Sequence, residues 1–193
     1  IYYHPSYWPD TAQAPKVSQQ EAAQNALELA PELAEAHTSM GIVHLKNANG
    51  PQAVRRLQKA IELKPSYWEA HHRLGVFYLK TGRVEQAIEH LTLAVELNPQ
   101  HAKARHGLYD AYLAAGEAKK SLKEARRQQQ LGLEELSAIA GEVRALKNLG
   151  KYEQAARITR KEMQPLRPET NWGGWSGAYM VSILAADGDT TSA

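Results

Sequence analysis

WEAHHRLGVFYLKTGRVEQAIEHLTLAVELNP, residues 68–99, is the stretch that decides the fold. Its Leu74, Gly75, Tyr78, Gly82, Ala87, Leu91, Ala94 and Pro99 recur, in whole or in part, on either side at a fixed interval. Ala53, Ala87, Ser121 and Ala155 are spaced by 34 residues, as are Pro31, Pro65 and Pro99, and Gly82, Gly116 and Gly150. A period of this size marks an array of like units and not one globule with a single core. Such units bury their apolar faces against neighbours and leave a long surface free for binding.

Each unit reads as two helices. In the segment 35–46, Ala36, Met40 and Val43 recur at helical spacing, and Gly41 lies where this helix must approach its partner closely. A turn is expected over Asn47-Ala48-Asn49-Gly50-Pro51, with Gly50 and Pro51 as its punctuation. A second helix from about residue 52 to 63 sets Ala53, Leu57, Ala60 and Ile61 on one side. Pro65 then ends it, because proline cannot donate into the ladder and restricts the residue before it. The next unit keeps Trp68, Leu74, Gly75, Tyr78, Gly82, Ala87, Leu91, Ala94 and Pro99. The third keeps Leu108, Tyr112 and Gly116, with Tyr109 for glycine, Ser121 for alanine and Leu133 for proline. The fourth keeps Ile139, Leu146, Gly150, Tyr152 and Ala155, but places Glu142 on a core position. Packing is therefore expected to be tightest in the first two units and loosest in the fourth.

The segments Leu74-Gly75-Val76-Phe77-Tyr78, Gly82-Arg83-Val84-Glu85-Gln86-Ala87 and Ala94-Val95-Glu96-Leu97-Asn98-Pro99 carry a resemblance. Small residue, large residue, Leu-Gly, Tyr, Gly, Ala, bulky residue, Ala and Pro at this period resembles the tetratricopeptide repeat, from about Val17 to Thr159. The resemblance implies an all-α fold, an α-solenoid of antiparallel helix pairs wound into a right-handed superhelix with a concave face. The expected organisation is the end of a preceding repeat over 1–33, full repeats over 34–67, 68–101 and 102–135, and a degenerate repeat over 136–170. A loop and the first helix of a truncated fifth repeat follow over 171–193. Val17 to Ala30 reads as the second helix of the preceding repeat, after a loop broken by Pro5, Pro9 and Pro15, and Ala178 to Ala186 as the fifth repeat's first helix. The chain opens at Ile1 and closes in mid-unit, so further sequence or a partner chain is expected to cover both ends.

Composition narrows the field. Of 193 residues, 23 are Lys or Arg and 21 Asp or Glu, a net charge of +2 with the signs interspersed, which argues against a nucleic-acid field. The absence of cysteine removes disulfides, thiolate metal sites and a cysteine nucleophile. No apolar run approaches the roughly 20 residues of a membrane-spanning helix.

In the family that this chain resembles, first helices line the inner surface. The stripe that maps inward is Glu35, Thr38, Ser39 and Ile42, then Glu69, His72, Arg73 and Val76. Lys103, His106, Gly107 and Asp110 follow, then Ser137, Ala140 and Arg144. Mixed charge with small and apolar residues suits an extended peptide or a partner helix. Repeats that grip a C-terminal carboxylate, as chaperone adaptors do, carry Lys and Asn, then Asn, then Lys and Arg. Here Thr38, Ile42, Arg73, Lys103 and Gly107 stand there and only Lys103 matches, which argues against such a clamp.

His71, His72, His101 and His106 raise a metal reading, but no acidic or cysteine partner has ligand spacing, and no metal or cofactor is expected. His37 and His71 fall where side chains pack between the two helices of a unit. Lys119, Lys120, Lys123, Arg126 and Arg127 form a basic stripe on one helix, diluted by Glu117 and Glu124 and read as a hydrated outer face. The stretch Asn171-Trp172-Gly173-Gly174-Trp175-Ser176-Gly177 is least repeat-like and reads as a loop whose rings cover the fourth unit. No phosphate loop, His-Glu-x-x-His motif or nucleophile elbow is present, so no catalytic residue is assigned.

These features point to a non-catalytic interaction scaffold that binds a protein or peptide partner and forms part of a larger protein or complex. One alternative is the repeat region of an enzyme or of a bacterial regulator, where such arrays follow DNA-binding, kinase or cyclase domains or present substrates. Another is a subunit that braces a multiprotein complex.

Overall fold

The computed structural model describes residues 18–163. The proline-broken opening segment, the Trp172–Gly177 stretch and the helix expected over 178–186 lie outside the described residues. The fold is all-α, built of helix pairs of the α-solenoid type. The chain divides into two compact units at Leu63 and Lys64.

The first unit holds α1 (Gln19–Leu29), α2 (Ala34–Lys46) and α3 (Gly50–Leu63). A capping box starts α1. The Ser18 hydroxyl accepts from the Glu21 amide at 3.1 Å, and the Glu21 carboxylate accepts from the Ser18 amide at 2.8 Å. On α2 the buried positions are mostly small, and a methyl group placed on Gly41 would fall 2.9 Å from Leu57 Cγ of α3. Close approach of the two helices therefore requires glycine there. The turn between them differs from the sequence expectation. Gly50 is already the first residue of α3, and Pro51 sits in its first turn, where a missing N–H costs nothing. The left-handed residue is Ala48, with φ +55°.

The second unit holds α4 (Trp68–Lys80), α5 (Val84–Leu97), α6 (Ala102–Ala114), α7 (Ala118–Gln130), α8 (Glu135–Asn148) and α9 (Tyr152–Ile158). A five-residue π-helical segment, Thr159–Met163, follows α9. Second helices open at Gly50, Val84, Ala118 and Tyr152, 34 residues apart each time. First helices open at Ala34, Trp68 and Ala102 on the same beat, but α8 opens one residue early, after a linker in which Gly132 and Glu134 are both left-handed. Each first helix ends alike: the backbone N–H of Asn49, Arg83, Glu117 and Lys151 returns to the carbonyl five residues before it, at 2.8 to 2.9 Å. This is the Schellman closure, and it places Ala48, Gly82, Gly116 and Gly150 in the left-handed region.

Between the layers, Leu91 of α5 is fully buried in the notch left by Gly75 of α4 and Gly107 of α6. A methyl on either glycine would come within 3.0 Å of its side chain. Tyr109 occupies the matching place between α6 and α8, where a methyl on Gly141 would meet its ring at 2.8 Å. In the last hairpin Ile139, Ala140, Val143, Leu146, Ala155 and Ala156 form one buried cluster, with Leu122 and Ile158 packed on it. The α-helical part of α9 is 7 residues long against 14 for α5 and runs directly into the π-helical segment Thr159–Met163.

One pair of positions carries different chemistry in each repeat. His37, His71 and Arg105 each place a side-chain nitrogen on the carbonyl of the repeat proline six residues earlier. The distances are 2.9 Å to Pro31, 3.0 Å to Pro65 and 3.2 Å to Pro99. Nineteen residues further on stand Arg56, His90, Glu124 and, in the fourth repeat, Ile158. His71 meets His90 ring to ring, with 3.1 Å between Nδ1 atoms; Arg105 makes a buried ion pair with Glu124; and Ile139, in the series after Arg105, shares the apolar cluster with Ile158. Among the described residues, no helix is long and apolar enough to cross a membrane.

Candidate functional site

In the second unit the stripe expected to face inward falls on α4, α6 and α8. On α4, Arg73 donates to Glu69 at 3.0 Å, one turn away, and the Tyr67 hydroxyl donates to the same carboxylate at 3.2 Å. His72 is 7% exposed and its Nδ1 has no partner. Its ring lies 5.2 Å from that of His101, edge-on, and 6.3 Å from that of Trp68. Trp68 in turn lies 4.2 Å from His101, centre to centre. Burial, reinforced by Arg73, lowers the His72 pKa to about 4, and burial also lowers that of His101. Both rings are therefore neutral at pH 7 and pack as aromatics. His101 also accepts the Ala104 amide at 3.1 Å and so caps α6. Val76 is half-buried on the same face, and Lys103 is exposed.

A second network joins α6 to α8. Ser137 Oγ lies 2.8 Å from His106 Nδ1, and His106 Nε2 lies 3.2 Å from Asp110. Arg144 of α8 pairs with the other Asp110 oxygen at 2.6 Å. The Tyr109 hydroxyl donates to the Ser137 carbonyl at 3.0 Å, and burial holds the phenol protonated well above its usual range. Ser, His and Asp are thus linked in series as in hydrolases, but through the opposite ring nitrogens, Nδ1 to serine and Nε2 to aspartate. Arg144 also neutralises the carboxylate that would support the imidazole, and Tyr109 lies 3.3 Å from the serine oxygen. The arrangement braces one repeat against the next.

The remaining stripe residues divide by burial. Gly107 and Ala140 lie buried between helices. In the first unit, Thr38 is 1% exposed with its hydroxyl unpartnered, while Glu35, Ser39 and Ile42 are half-buried on α2. His72 pairs its ring with His101 and not with His106, the residue one period away. Among the described residues no three His, Asp or Glu side chains converge on a point where a metal ion would sit.

The basic stripe of α7 is less free than its spacing implies. Lys120 bonds Glu117, and Arg126 donates at 2.8 Å to Glu142 of α8, to which Gln129 also donates at 2.9 Å. The acid on the expected core position thus brings its own partners. Sequence reading passed over Trp68 and His101 as a pair and Tyr109 as a brace. A signal existed for the last: Tyr109 fills a glycine position, so space for it had to come from elsewhere, and Gly141 provides it.

Residues 38–102 match a family model described as tetratricopeptide repeat. No curated protein matches the chain. Among solved structures it is similar to MamA (residues 41 to the end) from Desulfovibrio magneticus RS-1. The identity is 24%, the TM-score 0.66, and the match covers 75% of this chain and 83% of that one. It is also similar to YrrB, described as a TPR protein with an unusual peptide-binding site, at 18% identity and a TM-score of 0.68 over 89% of this chain and 86% of that one. Pseudomonas aeruginosa pilF matches with 18% identity and a TM-score of 0.68, covering 86% and 74%. At these identities the likeness is one of fold.

Proposed function

We propose that this chain is a non-catalytic protein-interaction scaffold whose first-helix face takes up an extended peptide or a partner helix. The observation that carries this reading is the fixing of polar and aromatic groups across that face. His101 lies on Trp68, Ser137 on His106 and Arg144 on Asp110, joining α4, α6 and α8 before any ligand arrives. A surface set in this way loses little side-chain entropy on binding. Arg73 and Arg144 keep part of their side chains in solvent and Lys103 is exposed, so charge-assisted bonds to a partner's carboxylates or carbonyls are available. The family match and the peptide-binding description of YrrB support the same class of role.

A bracing subunit would use the outer helices instead. One observation favours that second reading: Leu93 and Leu97 stand exposed one turn apart on α5.

A displayed random-peptide library selected against the chain separates the two. A selected peptide carrying a photo-crosslinker labels α4, α6 and α8 if the first-helix face is used. Labelling confined to α5 and α7 assigns binding to the outer layer and removes the proposed face.

A further inference from the structure

The inference deepens the proposed role of the first-helix face by giving it a control. We propose that the His71–His90 pair is an acid-release joint: double protonation parts α4 from α5 and so loosens the face that α4 carries.

The geometry sets the proton count. The Pro65 carbonyl can only accept, so His71 Nε2, 3.0 Å away, holds a proton. Neutral His71 then offers a lone pair at Nδ1, and His90 Nδ1, 3.1 Å from it, supplies the hydrogen. One further proton leaves a donor and an acceptor at that contact. A second puts hydrogens on both facing nitrogens and positive charge on both rings. His71 is buried, and the Tyr78 ring stacks on His90 at 5.6 Å, so the rings have little room to turn away within the hairpin.

The surrounding charges are few. Glu89 beside His90 favours its protonation, while burial and His71 oppose it and prevail. Arg83 lies over the Tyr78 ring. On α4 stand Glu69, His72 and Arg73, and from α6 His101 and Lys103 act on His72. Among the described residues, no carboxylate bonds either ring. The next hairpin supplies an internal comparison, because the same two positions there are Arg105 and Glu124, a buried ion pair with no imidazole in it. Glu69, His72, Arg73 and Val76 all ride on α4, so parting the hairpin displaces them together.

The test is amide hydrogen exchange on the whole chain, without any partner, at pH 7.5 and pH 5 and corrected for intrinsic rates. Amides of α4 and α5 should lose about tenfold in protection relative to α6 and α7 at the lower pH, the factor that one pH unit of proton exclusion produces. The double variant His71→Arg/His90→Glu, which copies the third repeat's pair, should reduce that difference at least threefold, leaving only the share that buried His72 contributes. His90→Gln, which keeps a donor but cannot gain charge, should do so too. Equal acid sensitivity in the wild type and His90→Gln overturns the proposal, as does an unchanged wild type. Because no ligand is present, either outcome leaves the interaction reading to its own experiment.

Discussion

Ala48 does with a methyl group what Gly82, Gly116 and Gly150 do without one. A left-handed alanine costs about 1 kcal/mol against glycine. Ala48→Gly should therefore raise the unfolding free energy by about that amount, less the extra freedom glycine brings to the unfolded chain. Urea unfolding monitored by circular dichroism measures it, and a loss of stability would contradict the turn geometry. Glu142 poses the opposite case. It stands where earlier repeats have Leu74 and Leu108, and its side chain is 9% exposed between Arg126 and Gln129. Arg126→Met removes the half-exposed cation from a buried carboxylate that Gln129 still bonds and should cost about 1 to 2 kcal/mol, whereas Glu142→Leu should be neutral or stabilising. The same unfolding assay ranks them, and the reverse order would contradict the account. The period exposed Glu142 as an exception but not its partners, because those lie on the preceding helix, 16 and 13 residues upstream, outside any one helix face.

Helix positions were legible because the 34-residue beat and the 3.6-residue beat agree within each unit. The error fell at the first turn, where Gly50-Pro51 looked like the break. Proline is as suitable for opening a helix as for ending one, and the strand of sequence alone does not say which. Histidine chemistry was less legible. His72, His90 and His101 all have folded pKa values below the usual 6.5, burial being the first cause in each case. Protonation therefore favours the unfolded chain. The stability these neutral rings allow is complete above about pH 6.5 and declines as the pH falls toward their folded values, for His72 toward about 4. Melting temperature should accordingly be lower at pH 5 than at pH 7.5, with His72→Gln reducing the difference. A melting temperature that rises on acidification would contradict the burial of these rings.

At the scale of the whole molecule, the repeat gives an expectation of which helices line the inner face, but not which of their residues are spoken for. Of the twelve residues assigned to the concave face (Glu35, Thr38, Ser39, Ile42, Glu69, His72, Arg73, Val76, Lys103, His106, Asp110 and Arg144), Thr38 and His72 turn out buried. Glu69 with Arg73, and Asp110 with His106 and Arg144, are tied to each other. Arg126, read from the sequence as a plain outer-face residue, holds Glu142 and is unsuitable as an outer-face comparator. Lys119 and Lys123, exposed on α7, serve instead. The decisive measurement is the affinity of a library-selected peptide for two charge-reversed chains whose melting temperatures match the wild type. Arg73→Glu/Lys103→Glu should weaken binding at least tenfold, about 1.4 kcal/mol, while Lys119→Glu/Lys123→Glu changes it less than twofold. Equal losses from the two pairs would contradict the assignment of binding to the first-helix face.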